Sequence, residues 1–374
     1  MSYFVAVCMD KKNTCAILVV LHRQFICLSI EVLPRRTYML FFLFSTKQHS
    51  PAQKLTMTKE NWIFISISFV AVFAFTLVLG GFTIGSNQNQ TSVVVSGTDK
   101  PIVVLSTFTV ISDMVREVGG SRVEAISLTK PGTEIHGYEP TPGDLVRASK
   151  AQIIFDNGLN LEVWAEKLYN SIPDVPHVTL TDGIDVISIA EGAYQDRPNP
   201  HAWMSPKQAL IYVENIKNAL NELSPADANY FGEQADAYAA KITELDTRLA
   251  QTLATLPESN RYLVTCEGAF TYLTNDYNLT EVYLWAINDE SQGSPRQIAS
   301  VIETVKKKNI PTVFCESTID PRIQTEVVHA TNATLGGVLY VDSLSNSEGP
   351  ASTYLKLLEY TVTTIITGLS LDAI

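Results

Sequence analysis

Between residues 225 and 256 the chain contains no proline after Pro225, and its only glycine, Gly232, lies near the start. A helix over that stretch, rising about 1.5 Å per residue, would span roughly 45 Å, longer than one small α/β lobe needs. The stretch therefore reads as a rigid strut with a folded lobe at each end. Ahead of it, residues 102–105, 123–128, 151–155 and 178–180 are short β-branched runs. Helical patterns at 110–118, 142–148 and 161–171 alternate with them. Behind it, strand-like runs at 261–265, 281–285, 311–315 and 338–342 alternate with helical patterns at 295–308, 321–330 and 352–369. Alternation of this kind implies parallel sheets covered by helices. The expected fold is thus α/β: two βα lobes at 101–223 and 257–374, each with a mostly parallel sheet, bridged by one long helix within 224–256.

The helix starts are legible. Thr141-Pro142, Ser205-Pro206, Ser224-Pro225, Ser294-Pro295 and Asp320-Pro321 each place a capping oxygen before a proline. Proline suits the first helical position because its missing N–H would have no intrahelical partner there. After Ser205, Leu210, Val213, Ile216, Leu220 and Leu223 fall on one stripe at helical spacing.

The first hundred residues concern targeting. Residues 62–84 read WIFISISFVAVFAFTLVLGGFTI, an uncharged apolar run with Lys59 just before it, and residues 57–86 are expected to export the remainder of the chain. The run is long enough to remain as an uncleaved anchor on the periplasmic face of the inner membrane. No cysteine comes after it between residues 79 and 90, as a lipoprotein signal would need, and no A-x-A cleavage site is visible. Residues 87–100 are polar and read as a linker. Met57 would make an ordinary start, so residues 1–56 read as an extension ahead of the exported chain; the rival reading is a second membrane-associated segment.

The formal net charge of -12 argues against nucleic acid as a partner, since phosphate binding needs a basic face. From residue 101 onward the histidines are His136, His177, His201 and His329. His136 and His201 fall in loops, each just before a proline-capped helix, and loops at the carboxyl ends of strands are where open α/β sheets bind ligands. His177 heads a predicted strand and His329 lies within a predicted helix; both read as structural or surface residues. In the second lobe, a strand ending at Cys266 presents Glu267 in the next turn, and another strand ends at Asp342. Strand-end carboxylates often only cap the next helix. Two imidazoles and two carboxylates together form a complete ligand set for a divalent metal.

The strings KPGTEIHGYEPTP, NGLNLEVW, NPHAWMSP, EGAFTYL and GGVLYVDSLS occur in that order. They resemble those of the metal-binding cluster of ABC-importer solute-binding proteins, cluster A-I, from about residue 101 to the C-terminus. The resemblance implies two lobes bridged by one long helix, with the metal between the lobes. It implies His136 and His201 as ligands from the first lobe, and Glu267 and Asp342 from the second. It also implies an ABC permease and a separate ATPase subunit as partners, and a receptor acting as a monomer rather than an enzyme. No G-x-x-x-x-G-K-[ST] loop is present, so the ATPase is another polypeptide.

Relatives specialised for zinc typically carry a third histidine where this chain has Glu267, and many have a long His- and acid-rich loop after the first ligand. Here only His177 lies between His136 and His201. Carboxylate oxygens are hard donors, so the pattern resembles the manganese and iron branch, and Mn²⁺ is the expected cargo with Zn²⁺ and Fe²⁺ as alternatives. Capture should link the lobes, and the strut predicts a small rearrangement rather than a wide hinge closure. Cys266 and Cys315 each end a predicted strand; if those strands are neighbours, the sulfurs come within disulfide range. Cyanobacterial-type manganese receptors look similar at this point, and the alternative is two buried free thiols. Two other classes compete. A metallohydrolase would use the same residues with an open site for water, yet no H-E-x-x-H or second metal cluster is visible. An adhesin would not need the ligand set at all.

Overall fold

The computed structural model describes residues 100–192, 194–287 and 293–370, together with the backbone of four strands nearer the N-terminus. Those strands, β1 (Val5–Met9), β2 (Cys15–Leu21), β3 (Gln24–Val32) and β4 (Tyr38–Leu43), pair antiparallel in chain order. The apolar run 62–84 and the linker up to residue 99 lie outside the described residues. Among the described residues, no helix is long and apolar enough to cross a membrane.

The first lobe alternates β5 (Ile102–Ser106), α1 (Thr109–Gly119), β6 (Val123–Ser127), α2 (Pro142–Ala148), β7 (Ile153–Asp156), α3 (Ala165–Ser171), β8 (His177–Thr179) and α4 (Pro206–Leu223). Its sheet is parallel throughout, in the order β6-β5-β7-β8. The Thr141 and Ser205 hydroxyls accept from backbone N–H groups in the first turns of α2 and α4. Thr141 and Asp144 complete a reciprocal capping box.

Helix α5 (Ala228–Leu253) begins three residues later than the sequence suggests, after a single 3-10 turn at Pro225–Asp227. The Ser224 hydroxyl donates to Asp227 instead of capping a long helix, and Asp227 pairs with Arg122 at 3.3 Å. Phe231, Ala235, Tyr238, Ile242, Leu245, Leu249 and Leu253 make one buried stripe at three- and four-residue spacing. Twenty-six residues rise about 39 Å. The helix packs on α1 and α4 of the first lobe and on α9 (Tyr354–Leu369) of the second. Near its start the Tyr230 hydroxyl accepts from Ser121 N at 3.1 Å. Beside it Gly120 has φ of 51°, and a Cβ there would collide with the same hydroxyl, so only glycine fits.

The second lobe runs β9 (Tyr262–Glu267), α6 (Thr271–Tyr277), β10 (Thr280–Trp285), α7 (Pro295–Lys308), β11 (Thr312–Glu316), α8 (Arg322–Ala330), β12 (Thr334–Leu339) and α9. Its sheet departs from the expected continuous one. β9 pairs parallel with β10 and β11 with β12, but no strand ladder joins β9 to β11. Side-chain connections cross that seam instead, among them Glu316 Oε1 accepting from Glu267 N at 3.4 Å. Cys266 and Cys315 are joined by a disulfide with Cα atoms 5.1 Å apart. The buried Gln324 amide donates to Phe314 O at 2.6 Å and reaches Val264 O at 3.5 Å, supplying donors where the ladder has none. Of the boundaries that differ from the sequence expectation, three bear on the site or its approach. Glu267 is the last residue of β9 rather than part of the turn, Asp342 lies three residues beyond β12, and Asp320 engages Arg322 ahead of an α8 that begins at Arg322. One apolar cluster runs through both lobes, from Val104 and Phe155 through the α5 stripe to Phe270, Phe314 and Tyr354.

Candidate metal centre

Each of the four sequence-nominated residues is held by its own local structure. His136 sits in the loop between β6 and α2, where the Trp164 indole donates to Ile135 O at 2.8 Å and Glu134 accepts from His136 N at 2.9 Å. His201 precedes the short 3-10 turn Ala202–Met204. The neighbouring Trp203 indole donates across to Val341 O at 3.1 Å, and the Tyr354 hydroxyl donates to Trp203 O at 2.6 Å. Glu267 closes β9, and Asp342 comes after β12 with Thr318 donating to its Oδ2 at 3.4 Å. The His136 side chain is 5% exposed and the other three are fully enclosed.

The donor atoms converge. His136 Nε2 is 3.2 Å from His201 Nε2 and 3.2 Å from Glu267 Oε1. His201 Nε2 is 3.5 Å from Glu267 Oε1 and 3.8 Å from Asp342 Oδ1. Ligand atoms held about 2.1 Å from one ion stand roughly 3.4 Å apart in a tetrahedron, so the spacing suits four donors around a single cation. Asp342 Oδ1 has no hydrogen-bond partner although it is buried, the state in which a carboxylate gains most from a cation.

Electrostatics separate the four groups. Burial works against charge on His136, but the Glu267 carboxylate, with Glu134 and Glu162 behind it, outweighs burial and raises its pKa. Burial lowers the pKa of His201, and the neighbouring His136 adds to that effect. Burial pushes Asp342 well above the usual carboxylate range, with Glu267 repelling it further. Burial opposes ionisation of Glu267 too, yet the two imidazoles overcome it and hold its pKa below the ordinary value. Without a cation, protonation is thus favoured on His136 and Asp342 and disfavoured on His201 and Glu267.

Three further residues shape the centre, two of them (Glu162 and Ser343) inside the motif strings although neither stands out there as a ligand. Glu316 is enclosed behind Glu267, with burial and that neighbour raising its pKa well above normal. Ser343, next to Asp342, accepts from Gly132 N at 2.7 Å and so ties the Asp342 turn to the His136 loop of the other lobe. Glu162 accepts from the Thr107 hydroxyl and from Asn157 N and Gly158 N, and burial pushes its pKa up to about 7. A cavity of about 490 Å³ opens onto His136, bordered by Glu134, Tyr194, Arg197, Thr318 and Asp320. His177 and His329 stand apart from the cluster. His177 stacks on Tyr169 and pairs with Asp156 at 3.2 Å, and His329 is exposed near the end of α8.

Residues 104–368 match the family model described as zinc-uptake complex component A, periplasmic. The iron-binding protein YfeA of Yersinia pestis is 50% identical over 273 residues, which cover 73% of this chain and 88% of that protein. The metal ABC transporter substrate-binding lipoprotein SsaB of Streptococcus sanguinis is 31% identical over 305 residues, covering 80% of this chain and 98% of its own. Among solved structures, the Mn-bound periplasmic metal binding protein of Candidatus Liberibacter asiaticus superposes with a TM-score of 0.67 at 37% identity, over 71% of this chain and 99% of that one.

Proposed function

This chain belongs to the periplasmic zinc-uptake complex component A family of metal-transporter substrate-binding proteins, and from that premise we propose that it captures one Mn²⁺ ion through His136, His201, Glu267 and Asp342. It is an exported metal-binding receptor of an ABC importer and not an enzyme. The convergence of two imidazole nitrogens and two carboxylates within 4.8 Å of one another carries the reading. Two hard oxygen donors beside two nitrogens favour Mn²⁺ over a site richer in imidazole. Fe²⁺ is the second reading, motivated by the iron-binding relative at 50% identity, and Zn²⁺ the third. We assign the permease and its ATPase as partners, and retention at the membrane to residues 62–84.

Metal analysis of the protein purified from the periplasm of cells grown in defined medium, with Mn²⁺, Fe²⁺ and Zn²⁺ competed against one another, tests the assignment. About one manganese per chain is expected. Zinc or iron in its place would keep the receptor and change its cargo, and no bound metal would remove the four-ligand site. Because Zn²⁺ outranks Mn²⁺ in intrinsic affinity at most N/O sites, the metal found after growth carries more weight than test-tube preference. Glu267→His is expected to move preference toward Zn²⁺ by roughly tenfold, about 1.4 kcal/mol. An unchanged Mn²⁺/Zn²⁺ ratio would show that this position does not set selectivity.

Binding requires all four ligands free of protons. The raised pKa values of His136 and Asp342 mean that protons must leave both, so affinity is full at higher pH and falls as pH drops through their range. Calorimetry in buffers of different ionisation heat should find about two protons released per ion. Equal heats in all buffers, with affinity flat from about pH 8 to 6, would contradict that protonation pattern.

A further inference from the structure

We infer that Asn199 is the positioning residue of this centre: its side-chain amide fixes the ring tautomer of His201 and ties that ring to the Glu267 turn in the other lobe. The inference deepens the metal-receptor reading and rests on it for its effect on binding. Asn199 is 1% exposed, and every polar group it owns is engaged. Its backbone N–H donates to Ile187 O at 2.9 Å, and its carbonyl accepts from the Tyr272 hydroxyl at 3.0 Å. The side-chain Nδ2 lies 2.7 Å from Gly268 O and 3.0 Å from Thr271 Oγ1. Oδ1 lies 3.0 Å from His201 N and 2.9 Å from His201 Nδ1.

The two ends of an amide are told apart only by what surrounds them, and here the surroundings decide. Gly268 O is a carbonyl and can only accept, so the end facing it must be the NH₂ group. The opposite end is then an oxygen with no hydrogen to give. It already takes the His201 backbone N–H, and the ring nitrogen beside it must also be a donor. His201 is therefore protonated on Nδ1 when neutral, which leaves the Nε2 lone pair directed among His136, Glu267 and Asp342. Metal-binding histidines generally need such a partner on the far nitrogen.

The same amide does a second thing. Gly268 directly succeeds Glu267, so the bond to Gly268 O joins the turn beyond one second-lobe ligand to a first-lobe ligand ring. Thr271, the other contact of Nδ2, opens α6 and donates to Glu281 Oε2 at 2.6 Å, which fixes the far end of that turn. One side chain thus sets both the direction of the His201 lone pair and its distance from Glu267.

Asn199→Asp and Asn199→Ala separate the two roles. The aspartate keeps an oxygen for His201 Nδ1 but sets a carboxylate against Gly268 O, breaking only the link between lobes. The alanine loses both. ¹⁵N-histidine spectra of the metal-free full-length protein are expected to show His201 as the Nδ1–H form in wild type and Asn199→Asp, and as a tautomer mixture in Asn199→Ala. Mn²⁺ release into excess chelator is expected to be about 10- to 100-fold faster in both variants, the usual cost of removing a partner of a metal ligand. Thr271→Val, which leaves the Gly268 contact in place, guards against misfolding and should accelerate release less than Asn199→Asp. A wild-type tautomer and release rate in Asn199→Ala would overturn the assignment. The spectra are read without metal, so a wild-type protein that bound no metal would sink the receptor reading while the tautomer result still judged Asn199.

Discussion

Replacing His136 with alanine is expected to abolish metal binding while leaving a folded protein. Removing a partner of a ligand already costs about 10- to 100-fold in affinity, and removing the ligand itself should exceed that. The consequence for the fold is small because His136 is not part of the apolar core and its Nε2 faces the other three ligands. In the wild type, Mn²⁺ at a hundred times its dissociation constant should stabilise the native state by about 2.7 kcal/mol. For a chain of this size that raises the melting temperature by roughly 3–5 °C. The alanine variant should melt near the metal-free wild type and not respond to Mn²⁺. A variant that still gained its full thermal shift would mean that the cation sits elsewhere.

Loss of the Cys266–Cys315 disulfide should have the largest effect on stability. The cysteines are 49 residues apart, and closing a loop of that length stabilises the native state by about 4 kcal/mol in the chain-entropy account. The double substitution Cys266→Ala/Cys315→Ala should lower the metal-free melting temperature by on the order of 10 °C. It should also weaken Mn²⁺ binding, for a reason specific to the seam between β9 and β11. Glu267 belongs to the β9 half of the sheet, and Asp342 lies just past β12 in the other half. Without the disulfide, the Gln324 amide and the Glu267 N–Glu316 hydrogen bond are left to hold the halves in register, and the two carboxylates lose their covalent tie. Mn²⁺ affinity equal to wild type in the reduced or double-alanine protein would show that the bridge acts on stability alone.

Much of this arrangement is legible in the sequence because the signals are local. Proline after a capping hydroxyl marks α2, α4 and α7, and a long stretch without breakers marks α5. His136, His201, Glu267 and Asp342 are weak signals one by one, since β7 and β11 also end in carboxylates, and are nominated as a set by the motif strings in which they lie. The hidden part depends on distant partners. Nothing near Gln324 or Asn199 in the chain announces that their amides will replace a missing ladder or cross between lobes. Asp342 looks strand-terminal because GVLYVD is apolar and β-branched throughout, yet pairing with β11 stops at Leu339 and the residues after it turn toward the centre. The start of α5 is displaced by Asp227, whose salt bridge to Arg122 belongs to another element and has no local trace.

The apolar cluster that runs unbroken through both lobes has a consequence for how such a receptor can signal. Two bodies that swing about a hinge need separate cores, since parting them must expose little apolar surface. Here Phe155, the α5 stripe, Phe270 and Phe314 belong to one packed interior, and prising the lobes apart would wet it. Each lobe also keeps a smaller cluster of its own, around Leu105 and Ile154 in the first and Val264 and Val313 in the second, so separating them should cost stability without erasing either core. Scattering profiles of the loaded and empty forms should nearly superimpose. A transporter facing this molecule would have to sense the order and charge of the loops around the cavity mouth, since its outline scarcely changes.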